Sequence, residues 1–196
     1  MRKLRTAILI SGRGSNMMAL VEAARAADYP AGIVCVVANT ADAKGLEFAA
    51  ANGIATRVID HKAFPSREAF EKALDAYLRS MNVEAMALAG FMRVLTAGFI
   101  AGWDGRMINI HPSLLPAYKG LHTHERAIAD GAKVHGCSVH LVTPELDGGP
   151  VLLQAEVPVL PEDTADVLAA RVLREEHRIY PQALALLSHR IIAETP

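Results

Sequence analysis

The sequence has few cysteines, few aromatic residues and no surplus of charge of either sign. Only two cysteines occur among the 196 residues, which excludes a disulfide framework or a zinc ribbon and favours the reducing cytoplasm. Aromatic residues make up 5%, too few to suggest a surface that stacks single-stranded nucleic acid. Twenty Lys and Arg against 21 Asp and Glu give a formal charge of −1, which argues against nucleic-acid and anionic-membrane partners.

Long hydrophobic runs are also missing. No run approaches the length of a membrane span, and the apolar residues 7–10, which follow a basic N-terminus, are too few for a signal peptide. The 14 glycines and 10 prolines are too few for a disordered or collagen-like chain. A length of 196 residues fits a single domain with a substantial core.

The first ninety residues alternate short apolar runs with amphipathic stretches. Strands are predicted over 6–11, 32–38, 54–60 and 85–89, and helices over 15–28, over 43–51 and from Ser66 onward. Asp42 and Ser66 are expected to cap the second and third helices. Strands that alternate with helices predict an α/β fold, with a doubly wound, mostly parallel sheet and helices on both faces.

The second half is richer in turns. A fifth strand is predicted over 106–110, a helix over 122–132, antiparallel strands over 139–142 and 151–157, and a long helix over 164–180. Pro181 is expected to interrupt that helix, which resumes to residue 188. The Pro-rich turn after the fifth strand is a candidate for a cis bond at Leu115-Pro116. These elements complete a sheet of about seven strands.

The first candidate site is the glycine-rich loop over residues 11–16, between the first strand and the first helix. Glycines allow a close backbone approach, and the helix N-terminus offers free N–H groups to an anion. Met17 stands where a dinucleotide-binding motif needs its third glycine, and Asn39 where it needs an acidic residue. The loop therefore favours a phosphate monoester over NAD, and a tight turn that binds nothing is the alternative.

The second candidate site combines Asn109, His111 and Asp147. Asn109 and His111 alternate along the fifth strand, so both side chains project from one face at its carboxyl end. An amide beside an imidazole can hold an oxyanion and move a proton near neutral pH. Asp147 lies in a turn before two glycines, where its carboxylate can approach His111 and favour the protonated ring. Alternatively, the first two form a structural polar pair and Asp147 binds its own backbone.

The remaining histidines point to no metal site. His122 and His124 lack cysteine or acidic partners at a ligand spacing. His135 and His140 flank a cysteine on a predicted strand and receive no role from the sequence. Glu176, on the long helix, has the pattern of a solvated helix face.

Six motifs, taken in order, resemble the folate-dependent formyltransferase family. They lie at residues 11–16, 89–93, 109–116, 121–124, 145–150 and 176–181. Each motif alone is weakly specific, but the six together span nearly the whole chain. Within the family, the match is closest to the members that formylate glycinamide ribonucleotide in purine biosynthesis. The resemblance implies a Rossmann-like formyltransferase fold.

The resemblance also implies a reaction. The formyl group of the cosubstrate 10-formyltetrahydrofolate passes to the amino group of 5'-phosphoribosylglycinamide by direct attack of the amine, through a tetrahedral intermediate. Asn109 and protonated His111 stabilise the oxyanion, and Asp147 keeps His111 charged and oriented. No metal, nucleic acid or membrane is implied, and the partners are small molecules bound by a monomer or a homodimer.

The implied binding residues fall into two sets. The ribonucleotide is held by Gly14, Ser15, Asn16 and Glu176. The folate site is lined by Arg67, Met92, Arg93, Val94, Leu95 and Asn109. A single domain over residues 1–196 thus has a phosphate- and nucleotide-binding half over 1–90 and a folate-binding and catalytic half over 91–196.

Three other functions compete with this one. A formyltetrahydrofolate hydrolase normally carries an N-terminal regulatory domain, and a methionyl-tRNA formyltransferase carries a C-terminal RNA-binding domain and a basic surface. Length and charge argue against both. A non-catalytic phosphate-binding module does not require Asn109, His111 and Asp147 to lie close together. The arrangement of these residues, rather than the fold, therefore distinguishes the competing functions.

Overall fold

The computed structural model describes residues 2–194. The strands are β1 (Leu4–Ile10), β2 (Ala31–Ala38), β3 (Ala55–Val58), β4 (Ala85–Leu88), β5 (Met107–His111), β6 (Val134–Leu141) and β7 (Val151–Pro158). The helices are α1 (Ser15–Ala24), α2 (Gly45–Ala51), α3 (Arg67–Ser80), α4 (Ala97–Ala101), α5 (Thr123–Ala129) and α6 (Ala165–Glu194). A single turn of 3-10 helix covers His61–Ala63.

The strands form one sheet in the order β3-β2-β1-β4-β5-β6-β7. The first five are parallel, whereas β6 and β7 run antiparallel to their neighbours. The predicted α/β fold with a mostly parallel, doubly wound sheet is confirmed. The strand order reverses between β1 and β4, and ligands of open α/β sheets bind at the carboxyl ends of the strands beside such a point.

The hydrophobic core lies in two layers, one on each side of the sheet. Successive residues of β1 alternate between them, as a strand buried on both faces requires. Ile8 and Ile10 share a layer with Tyr180 of α6, whereas Leu9 shares the other with Leu74 of α3. Helices therefore cover both faces, as predicted.

Helix ends follow local chemistry only in part. Ser66 caps α3 as predicted, since its hydroxyl accepts a hydrogen bond from the Ala69 N–H at 3.1 Å. Asp42 does not cap α2, because its carboxylate is engaged by the Thr40 hydroxyl and the helix begins only at Gly45. That prediction was wrong. The Leu115-Pro116 bond is cis, as anticipated.

The predicted interruption of the long helix at Pro181 was also wrong. Helix α6 is continuous through that residue, although proline removes one helical hydrogen bond and strains the preceding turn, at a cost of about 3 kcal/mol. Tyr180, Ala183 and Leu184 are fully buried on the same side of the helix. The Tyr29 hydroxyl also donates to the Pro181 carbonyl at 2.7 Å. Tertiary packing around the proline thus outweighs its local effect.

Among the described residues, no helix is both long and apolar enough to cross a membrane.

Candidate active site

A cavity of about 780 Å³ opens at the carboxyl ends of the central strands. Its size falls within the ordinary range for small-molecule sites. Among the site residues predicted from the sequence, those that line it are Asn16, Met92, Arg93, Val94, Leu95, Asn109, His111, Asp147 and Glu176. The structure thus brings the second candidate site and, from the glycine-rich loop, Asn16 to one cavity. Arg67, which is exposed at the start of α3, lies outside the lining, as do Gly14 and Ser15.

The turn that carries Asp147 is fixed by a glycine. A side chain at Gly149 would place its Cβ 1.8 Å from the Leu141 carbonyl oxygen, so only glycine allows the turn to pack against the end of β6. The Leu141 N–H donates to the Pro150 carbonyl at 2.9 Å and closes this contact. Asp147 itself has a φ of 50°, a left-handed conformation that Asp tolerates better than most residues. The pair of glycines noted in the sequence thus serves to place a carboxylate.

His111 is buried between two acceptors. Its Nδ1 lies 3.4 Å from Asp147 Oδ2, and its Nε2 lies 2.9 Å from the Tyr118 carbonyl oxygen. Because a carbonyl only accepts, Nε2 carries a hydrogen, and Nδ1 faces the carboxylate. The Gly120 N–H donates to the same carboxylate oxygen at 2.9 Å. Residues 118–120 therefore cover the imidazole in this conformation.

The Asp147 carboxylate is stabilised in its ionised form. Burial raises the pKa of this group, but the neighbouring His140, the Gly120 N–H and the charge of His111 together hold it below its ordinary value. The side chain is 8% exposed, so solvent screens these interactions little. Asp147 is consequently an anion throughout the neutral pH range and can hold an imidazolium in place.

His140 is a site residue that the sequence did not identify. Its Nδ1–H donates to the Leu141 carbonyl at 2.9 Å, and its Nε2 lies 3.2 Å from the Asn109 amide nitrogen and 3.7 Å from Asp147 Oδ1. Asn109 and His140 are direct partners in the β5–β6 pairing. The antiparallel register would have revealed the contact, but no sequence motif fixes that register.

Asn16 and Glu176 form the other end of the cavity. The Asn16 amide donates to Glu176 Oε2 at 2.6 Å, across 160 residues of sequence. Burial raises the pKa of the Glu176 carboxyl, and the hydrogen bond from Asn16 offsets that effect only in part. The Asn16 Oδ1 atom is buried without a protein partner among the described residues, so it remains available to a ligand donor.

Gly14 gives the glycine-rich loop its shape. It precedes α1 with a φ of 71°, and a Cβ there would lie 2.9 Å from Met17 Cε and 3.4 Å from Gly45 Cα. The first turn of α1 contains no acidic residue, and no side chain caps it. Its free N–H groups and the positive end of the helix dipole are thus suited to an anion.

The region described, residues 2–194, contains no cluster of three or more His, Cys, Asp or Glu side chains that could hold a metal ion. His124 and His135 instead hydrogen-bond to each other, with 3.1 Å between Nδ1 and Nε2. This pair joins α5 to β6. Burial, reinforced by His124, lowers the pKa of His135 to about 4, and burial also lowers that of His124.

We expect acid to release α5 from β6. The unfolded pKa of His135 is near 6.5 and the folded one near 4, so the contribution is complete above about pH 6.5 and is lost as pH falls toward 4. The loss reaches about 3 kcal/mol, because His135 is 1% exposed. Amide hydrogen exchange of residues 123–129, measured between about pH 7 and pH 4.5, checks this. Protection that stays constant across that range contradicts it.

Comparison with known proteins extends these findings. A family model described as formyl transferase matches residues 4–184. Phosphoribosylglycinamide formyltransferase of Escherichia coli (strain K12) is 48% identical over 178 residues, which cover 91% of this chain and 84% of that protein. The crystal structure of phosphoribosylglycinamide formyltransferase from Brucella melitensis superposes with a TM-score of 0.92 at 53% identity, covering 95% of this chain and 96% of that one.

Longer relatives contain the same region. The human trifunctional purine biosynthetic protein adenosine-3 is 45% identical over 187 residues, or 95% of this chain. The chain spans only 18% of the length of that protein and of its bovine counterpart. Since the family model covers residues 4–184, and the Escherichia coli and Brucella melitensis relatives match 91% and 95% of the chain, this chain belongs to the formyl transferase family.

Proposed function

We propose that the chain transfers the formyl group of 10-formyltetrahydrofolate to the amine of 5'-phosphoribosylglycinamide, a one-carbon transfer in purine biosynthesis. One observation carries the proposal. Asn109, His111 and Asp147 meet in a single cavity whose lining also includes Asn16 and Glu176. The relatives named as phosphoribosylglycinamide formyltransferases support the choice of acceptor.

In this reaction the amine of the ribonucleotide attacks the formyl carbon. A C–N bond forms, negative charge builds on the formyl oxygen, and collapse of the tetrahedral intermediate breaks the bond to the folate nitrogen. The amine loses one proton and the folate nitrogen gains one, with water as the carrier. Asn109 and the Nε2–H of His111 donate to the oxyanion, and Asp147 holds the imidazolium. Hydrogen-bond donors that lie where the negative charge develops stabilise the transition state more than they stabilise the bound substrate.

The ribonucleotide is assigned to the end formed by α1 and α6. The free N–H groups after Gly14, at Ser15 and Asn16, receive the phosphate, and Glu176 accepts hydrogen bonds from hydroxyls of the ribose. The contact between Asn16 and Glu176 supports this placement, because it joins the loop and the carboxylate into one surface. The proposed ribonucleotide site, formed mostly by the half over residues 1–90, thus also requires Glu176 from the half over 91–196.

The folate is assigned to the end that contains residues 92–95. Apolar side chains line this part of the cavity, among them Leu88, Phe91, Ile100 and Val142. Among the described residues, no protein group hydrogen-bonds the backbone of Arg93, Val94 or Leu95. These free N–H and C=O groups suit the polar edge of a pterin. A role for Arg67 toward the folate remains part of the proposal, although that side chain lies outside the cavity lining.

Catalysis requires one local movement. The Tyr118 carbonyl oxygen accepts the hydrogen bond from the Nε2–H of His111. Residues 118–120 must therefore move away before that N–H can donate to the formyl oxygen. Tyr118 begins this segment and His122 lies two residues after its end, and both have positive φ, 53° and 56°. Such left-handed conformations cost free energy at residues other than glycine. The segment is therefore strained in its closed form.

The proposed function is tested by an assay with 10-formyltetrahydrofolate and three competing acceptors: glycinamide ribonucleotide, water and methionyl-tRNA. We expect formylation of the ribonucleotide to dominate. Preferential transfer to water or to the tRNA would replace this function with another of the same fold.

The Glu176 carboxylate offers a separate test of the ribonucleotide end. Glu176→Gln keeps the side-chain size but removes the charge, and we expect the KM for the ribonucleotide to rise about tenfold or more with kcat changed little. Glu175→Gln is the matched control, because that neighbour is partly exposed and pairs with Arg178 at 2.6 Å. A KM unaltered by Glu176→Gln would place the ribonucleotide elsewhere.

We assign the enzyme to the cytoplasm, since Cys35 and Cys137 are both buried and unpaired, which suits a reducing compartment. The proposed site is built from one chain, so a monomer or a homodimer can carry the activity.

A further inference from the structure

The irregular segment Met92–Thr96 is held at its two ends by side chains from elsewhere in the fold. The Met92 N–H donates to Ser11 Oγ at 2.8 Å, and the Thr96 N–H donates to Glu71 Oε1 at 2.7 Å. Between these anchors, the backbone of residues 93–95 has no protein partner within the part of the chain that the structure describes. A segment without helix or strand bonds takes its shape from such anchors.

The Ser11 anchor is oriented by a further pair of residues. Ser11 Oγ donates to Asn39 Oδ1 at 2.5 Å, so its single hydrogen is used and a lone pair faces the Met92 N–H. Asn39 is 4% exposed, and its side-chain Nδ2 lies 3.1 Å from His61 Nδ1, which also lies 2.9 Å from the Asn39 backbone carbonyl oxygen. These contacts connect His61, in the turn after β3, through Asn39 at the end of β2 to Ser11 at the end of β1.

The Glu71 anchor is equally constrained. The side chain reaches from α3, is 4% exposed, and accepts from both the N–H and the hydroxyl of Thr96. The Thr96 hydroxyl in turn accepts the Phe99 N–H at 3.2 Å and caps α4. Removal of the carboxylate leaves a buried N–H without its acceptor.

We propose that Ser11 and Glu71 are positioning residues for folate binding. They hold the free backbone N–H and C=O groups of residues 93–95 where these groups can hydrogen-bond the pterin. Neither residue lines the cavity, so neither touches the folate. The inference rests on the proposed function, because it assumes that residues 92–95 bind the folate.

The test compares Ser11→Ala with the wild-type enzyme in steady-state kinetics. We expect the KM for 10-formyltetrahydrofolate to rise about tenfold, the effect of losing one ordinary hydrogen bond. The kcat and the KM for the ribonucleotide stay within about twofold, since the reacting groups and the N-terminus of α1 are untouched. Ser80→Ala is the matched control, because Ser80 makes a 2.7 Å hydrogen bond to the Tyr77 carbonyl on the far end of α3.

Glu71 is tested by a pair of variants. Glu71→Ala removes the acceptor, and we expect the same rise in the folate KM. Glu71→Gln retains an oxygen for the Thr96 N–H, and its folate KM is expected to lie near the wild-type value. A folate KM that is unchanged in both Ser11→Ala and Glu71→Ala overturns the inference.

A measurement without substrate separates this inference from the proposed function. The amide exchange of Met92, followed by NMR in the free protein, is expected to accelerate in Ser11→Ala and to stay unchanged in Ser80→Ala. Unaltered exchange overturns the positioning role. Absence of formyl transfer in the wild-type enzyme, in contrast, refutes the proposed function and leaves the exchange result interpretable on its own.

Discussion

Replacing His111 with alanine is expected to lower kcat by about 10³-fold or more. The variant removes both the donor to the oxyanion and the charge that Asp147 holds, and each such contribution is commonly worth about 10²- to 10³-fold. The side chain is 6% exposed, and the change also frees the Tyr118 carbonyl, so some loss of stability accompanies it. Formyl transfer under saturating substrates, with thermal unfolding measured in parallel, checks the prediction.

The control for this variant is His189→Ala. His189 is exposed on α6, so its loss is expected to change neither kcat nor the unfolding temperature. If His111→Ala retains near-normal turnover while folded, His111 has no catalytic role and the mechanism fails.

Replacing Asp147 with asparagine is expected to lower kcat by about 10²-fold or more, with both KM values changed little. Asn has the same shape and also tolerates the left-handed backbone at this position. The turn is therefore preserved, and the Gly120 N–H can still find an oxygen. What is lost is the negative charge, 3.4 Å from His111 Nδ1, which in the proposed mechanism orients the imidazole ring.

Asp163→Asn provides the matched control for the loss of a carboxylate. Hydrogen bonds from Arg171 and from the Leu160 N–H hold the pKa of Asp163 at about 2, so this aspartate is also strongly engaged but lies away from the cavity lining. We expect Asp163→Asn to reduce stability and to leave kcat unchanged. Equal effects of the two variants on kcat would show that Asp147 acts only through the fold.

Much of the fold was predictable because its signals are local or periodic. The central parallel strands β1, β2 and β4 contain apolar runs, α3 is amphipathic, and Ser66 caps α3 through its own hydroxyl. Pro181 and Asp42 were misread for the same reason. Each has a strong local preference, and at each position packing or a competing side chain outweighed that preference.

In the candidate site, too, the residues with local sequence signals were predictable and those that depend on distant partners were not. Alternation along β5 placed Asn109 and His111 on one face, and glycines marked the loops of Gly14 and Asp147. His140 and the two anchors of the segment Met92–Thr96 have no such signature, because each acts through a partner more than 20 residues away.

The sequence by itself determined the class of fold, and it predicted the proposed catalytic groups and the proposed anion-binding loop, since side-chain type and short-range spacing carry that information. The tertiary structure alone decided the pairing of His140 with Asn109, the contact between Asn16 and Glu176, and the cover of residues 118–120 over His111. These contacts depend on strand register and on the packing of α1 against α6. Register and packing are set by burial summed over the whole core, which no local segment records.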